Sequence, residues 1–115
     1  MKPDLLIIFE SVSIVSGIPI SAIRGRRRTR IASRARFVVV FLVRCRFPWW
    51  SQAKLSEVVG RLDHGSAAHA LHRAESLNES DPAFADLLAR SATLASVGSA
   101  TLATLDPNRQ SLLNQ

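Results

Sequence analysis

The sequence predicts an all-α protein, a small helical bundle containing a helix-turn-helix. Three observations carry this. Apolar residues recur at spacings of three and four through most of the chain, capping residues and breakers fall between those stretches, and the one strand-like run has no second run to pair with. With 115 residues, 47% of them apolar, the chain can bury one modest core without metals or disulfides.

The first helix is expected over Asp4–Ser16, where Leu5, Ile8, Val12 and Val15 form one stripe. Asp4 suits the positive end of the helix dipole and Gly17 ends the helix. "PISAIR", from Pro19 to Arg24, reads as a short second helix with proline at its start, and Ile18, Ile20 and Ile23 cover the first. "GRRRTRIAS" has no apolar face and reads as an exposed basic loop. Ser33 is then the candidate N-cap of a third helix, Arg34–Arg46. Its "FVVVFLV" core is also compatible with a buried strand, but a lone strand has no partner, so a central helix covered on most sides is the expectation.

"FPWW" is a connection broken by Pro48, with Trp49 and Trp50 expected to pack over helix ends, a stacking surface for bases being the alternative. Ser51 caps a fourth helix, Gln52–Val59, with Leu55, Val58 and Val59 inward and Gly60 as its stop. The fifth helix runs from about His64 to Leu77. Its inward stripe is Ala67, Ala70, Leu71, Ala74 and Leu77, which sends Ser66, His69 and Arg73 to the outer face. "NESDPAFADLLARSA" supplies a sixth helix, capped by Ser80 or Asp81, with Phe84, Leu87 and Leu88 as its apolar edge. Beyond about Ser96 the chain is small and polar, and fraying is expected.

The formal net charge is +6, and its layout says more than its size. Residues 24–46 hold nine arginines and no acidic residue; the other six basic residues face nine acidic ones, a balance of −3. So local a concentration of positive charge points to a polyanion partner. The single cysteine, Cys45, excludes an internal disulfide, fits a reducing cytosol and is expected in the core. No stretch approaches the roughly 20 apolar residues of a membrane span, so no membrane partner is expected.

Enzyme chemistry finds little footing. Asp63, His64, His69 and His72 do not have the spacing of a zinc site, and no cysteine cluster joins them. Ser66 lacks a nucleophile-elbow context. No phosphate-cradling P-loop occurs. No catalytic residue, metal or cofactor is therefore expected.

Binding accounts for more. In "GRLDHGSAAHALHR", residues 60–73, a Gly-containing turn leads into a helix whose start carries Asp63, His64, Gly65 and Ser66. The start of the second helix of a helix-turn-helix meets base edges in the major groove. An aspartate accepts from a cytosine amine, and serine and histidine offer hydrogen bonds to bases and phosphates. The basic loop supplies the phosphate attraction.

Two motifs in this order resemble the DNA-binding C-terminal domain of DnaA, the bacterial chromosomal replication initiator. "SAIRGRRRTRIASRAR" is similar to that domain's basic loop, K-R-R-[ST]-R followed by A-R-x-R-Q. "GRLDHGSAAHALHR" is similar to its signature G-R-D-H-[ST]-T-V-x-H-A. The resemblance covers about Asp4 to Leu77. It implies a helix-turn-helix bundle of Trp-repressor-like architecture over residues 1–78; the residues beyond it read on their own as an additional helix at 79–95 and a flexible tail at 96–115. It implies that Arg28 enters the minor groove, that Arg26, Thr29, Arg30 and Arg36 grip phosphates, that Asp63, His64 and Gly65 read bases, and that Ser66 and His69 bind the backbone.

The chain departs from the pattern at several places. Leu62 separates Arg61 from Asp63, Gly65 replaces a hydroxyl residue, Ala67 and Ala68 replace larger residues, Phe37 stands in place of glutamine, and one extra residue falls near "FPWW". These departures point to a site other than the standard initiator box, or to weaker specificity. The ATPase module is missing from this chain. The expected function is double-stranded DNA binding, related to replication-origin recognition or transcription regulation, by a monomer in the cytoplasm at the nucleoid. An RNA- or protein-binding adaptor that uses the same loop is the alternative.

Overall fold

The computed structural model describes residues 2–25, 29–59 and 64–105, apart from the side chains of 58, 59, 64–66 and 99–105. Among the described residues six helices follow one another: α1 (Pro3–Ser16), α2 (Ile20–Arg24), α3 (Arg30–Arg46), α4 (Gln52–Val59), α5 (His64–Ser80) and α6 (Pro82–Leu105). No strand occurs among the described residues. The all-helical expectation therefore holds, and each predicted helix is present.

α1 starts at Pro3, whose missing N–H costs nothing in a first turn, and Asp4 follows it there. Gly17 closes it in the left-handed region at φ 76°, donating its N–H to the Ser13 carbonyl at 2.9 Å. The buried face is Leu5, Ile8, Phe9 and Val12, and the Ser11 hydroxyl is satisfied by the Ile7 carbonyl at 2.7 Å. Val15, expected in this stripe, is only half-buried.

α3 is the central helix, with Ala35, Val38, Val39, Val40, Leu42 and Val43 buried. It begins one turn earlier than the sequence suggests. Thr29, not Ser33, is the N-cap, its hydroxyl accepting from the Ala32 N–H at 3.2 Å. Both residue types cap well, and the earlier start buries Ala32. Cys45 also corrects its expectation. It is exposed on the last turn of α3, at a groove between α1, α3 and α6. Partial burial there pushes its thiol pKa up.

In the turn after α3, Trp50 stacks flat on Phe47, with ring centroids 4.0 Å apart and planes within 5°. Trp50 thus packs as expected, whereas Trp49 is 71% exposed. Ser51 caps α4 through the Lys54 N–H at 3.1 Å, and Leu55 is fully buried. The inward stripe of α5 is as predicted: Ala67, Ala70, Ala74 and Leu77 are buried and Leu71 is half-buried. Three of these five are alanines, which lets α5 lie close on α3 and α4.

Asp81 caps α6, with its Oδ1 accepting from the Ala83 and Phe84 N–H groups at 3.0 and 3.2 Å. Its Oδ2 accepts from Arg34 of α3. Phe84 and Leu88 join the same core as α1 and α3. α6 continues through Leu105, ten residues beyond the expected helix. It passes so close to α1 that a Cβ on Gly98 would lie 2.9 Å from Ile7 Cγ2. Residues 106–115 of the expected tail lie outside the described residues.

The Asp81 contacts predict an acid response. The Arg34 hydrogen bond, and then the Phe84 N–H, hold its carboxyl pKa below the ordinary value. A carboxylate depressed in the folded state contributes stability that is complete above its unfolded pKa and is lost as pH falls through the folded one. Asp81→Asn is therefore expected to lower the melting temperature at pH 7, and the gap from wild type should narrow below about pH 4. A gap that stays constant down to pH 2 would remove this ion pair as its source.

Candidate nucleic-acid interface

The basic segment is fastened at both ends. On the α2 side, Arg36 of α3 reaches back to the end of α2. Its Nε donates to the Ile23 carbonyl at 2.9 Å, and its Nη2 to those of Gly25 at 2.8 Å and Ala22 at 3.4 Å. These carbonyls belong to the end of a five-residue helix, where backbone acceptors have no intrahelical partner. Gly25 itself tolerates no side chain, since a Cβ there would lie 2.8 Å from the Ser21 carbonyl oxygen. On the α3 side, the Thr29 cap fixes the return of the chain.

This geometry corrects the role expected for Arg36. It is 8% exposed, and burial lowers its guanidinium pKa. Its Nε and Nη2 are turned inward onto backbone carbonyls at the end of α2, so it anchors that flank of the segment. Other arginines of residues 24–46 are also engaged. Arg34 pairs with Asp81, Arg46 with Asp4 at 2.7 Å, and Arg44 donates to the Pro48 and Trp50 carbonyls at 3.1 and 2.6 Å. The Arg24 guanidinium lies 5.8 Å from the Phe9 ring centroid. Thr29 and Arg30 are exposed at the start of α3. Arg26 and Arg28 lie outside the described residues.

On α5, His69 and His72 are exposed and Arg73 is half-buried, in keeping with an outward face. The His69 ring meets Phe37 of α3 edge-on, at 6.3 Å between centroids and 82° between planes. This contact sets the first third of α5 beside the first half of α3. Asp63 lies outside the described residues. His64, Gly65 and Ser66 form the first turn of α5, and their side chains lie outside the description.

No protein-family model, curated protein or solved structure matches the chain. Its chemistry must therefore be argued from its own residues. Among the described residues, no three His, Cys, Asp or Glu side chains gather as a metal site, and no helix is long and apolar enough to cross a membrane.

Two features of the site escaped the reading of the sequence. Arg36 sits in an arginine-rich run, where nothing in composition separates an internal arginine from an external one. Phe37 meets His69 across 32 residues of sequence, a ring contact that no local pattern signals.

Proposed function

We propose that the chain is a double-stranded DNA-binding module in which α4 and α5 act as a helix-turn-helix and the basic segment between α2 and α3 contacts phosphates and the minor groove. The observation that carries this reading is the fastening of that segment at both ends, by Arg36 and Gly25 on one side and by Thr29 on the other. A chain stretch anchored at both flanks has less freedom to lose on binding a polyanion. The packing of α4 on α5, the seat of α5 on α3, and the outward His69 agree with a recognition helix presented to the major groove. The resemblance of the two sequence motifs to the DnaA DNA-binding domain points the same way.

In this reading Asp63, His64 and Gly65 meet base edges, Ser66 and His69 meet the backbone, Arg28 enters the minor groove, and Arg26, Thr29 and Arg30 hold phosphates. The process served is replication-origin recognition or transcription regulation at the nucleoid. The module works by binding alone, without catalysis or cofactor.

With Arg36 turned inward, about four arginines remain for the duplex: 26, 27, 28 and 30. Log Kd should then change with log salt at a slope of about 4 in magnitude. Arg30→Ala is expected to weaken all duplexes alike and to reduce that slope by about 1. Filter binding at several salt concentrations measures both. Affinity that does not respond to salt would remove the electrostatic basis of the proposal. Tighter binding to RNA than to a DNA duplex of equal length would move the function to an RNA adaptor.

A further inference from the structure

From the turn that ends α3 we infer a second binding surface, in which Trp49 stacks against an unpaired base of single-stranded nucleic acid and the cations on the neighbouring Phe47–Trp50 stack hold the flanking phosphates. This does not rest on the duplex-binding proposal, whose basic segment lies at the other end of α3. A 17-residue helix separates the two ends by about 25 Å.

Trp49 is the largest exposed hydrophobic side chain among the described residues, at 71% of its surface. It is also held in place. Pro48 precedes it, the Trp50 N–H donates to the Phe47 carbonyl at 3.1 Å, and Arg44 bonds the carbonyls on both sides, those of Pro48 and Trp50. Phe47 and Trp49 stand nearly perpendicular, at 85° with ring centroids 5.8 Å apart, and most of the indole surface remains open. The neighbouring rings behave differently: Phe47 and Trp50 cover each other. A buttressed aromatic ring with an open face is the platform on which a base stacks at low entropic cost.

The surroundings select the partner. Lys2 and Lys54 each lie 5.5 Å from the Trp50 ring centroid, and Arg46 lies 5.1 Å from that of Phe47. Arg46 is offset by Asp4, whereas neither lysine pairs with a carboxylate among the described residues. The patch therefore carries net positive charge and favours an anion with a planar aromatic group. No other large hydrophobic side chain is exposed on this turn or on α4 among the described residues. An anionic bilayer requires a wider apolar face than one indole. A paired base in a duplex hides its face in the stack, so the unpaired strand is the better match.

The test uses an oligothymidylate of about 12 nucleotides. In Trp50→Phe, where Trp49 is the remaining tryptophan, titration with the oligonucleotide should quench the emission to saturation. By anisotropy of a labelled oligonucleotide, Trp49→Ala in the otherwise unchanged chain should weaken binding roughly 5- to 100-fold, and Trp49→Phe should retain most of it. Affinity for a blunt duplex should be unaltered by either change. The exposed position means Trp49→Ala should keep the wild-type melting curve, which checks the fold. Unchanged single-strand affinity in Trp49→Ala overturns the inference. So does emission that responds to phosphatidylserine vesicles and not to the oligonucleotide.

Discussion

Replacing Arg36 by alanine is expected to lower the unfolding free energy by about 3 kcal/mol and the melting temperature by about 10 °C. The substitution strips charge-assisted donors from the carbonyls of Ala22, Ile23 and Gly25 at once. These acceptors lie at the end of a helix too short to satisfy them itself. Arg36→Lys should recover only part of the loss, because one ammonium cannot reproduce the spread of a planar guanidinium. The salt slope of duplex binding should stay the same in both variants. Calorimetry and salt-dependent binding on the same preparations give the answer together. A normal melting temperature with a slope flattened by about 1 would return Arg36 to the phosphates.

The second large effect is expected at Phe9. Its side chain is fully buried in α1, within the single core cluster. Phe9→Ala should cost about 3–5 kcal/mol, the lost transfer energy plus the cavity left behind. Phe9→Leu, which keeps most of the volume, should cost about 1 kcal/mol. Urea midpoints at constant m value measure both. A loss below 1 kcal/mol for the alanine variant would mean that the core closes over the gap.

Phe9 also illustrates how far periodicity reaches. The stripe Leu5, Ile8 and Val12 was legible because it recurs at helical spacing, and the same rule admits Phe9, four residues after Leu5 and three before Val12. Helix identities were legible for the same reason, as were the stops at Gly17 and the Ser51 cap. The failures have a common physical form. Thr29 and Ser33 are both competent caps, and local chemistry does not rank them; the burial of Ala32 and Ala35 against the rest of the bundle favours the earlier start. Cys45 follows an apolar run, but its place on the helix turns it outward. Residues 96–105 carry small side chains with weak amphipathicity, so their helix depends on neighbours that a local reading does not include. At the interface, the outward face of α5 was legible from spacing. The inward turn of Arg36 was not, because its partners are backbone carbonyls 11 to 14 residues away.

The close passage of α6 over α1 has a consequence for how the chain is made. The two helices share the most extensive pairing in the bundle, and at Gly98 and Ile7 they come together with no room for a further methyl group. The two contact residues stand some 90 positions apart in the sequence. Part of the α1 surface therefore waits for α6 to be made before it is covered, and closing so long a loop is the slow kind of contact. A nascent chain stalled before Pro82 presents that apolar surface to other chains, which makes translation through α6 the interval of greatest exposure to aggregation.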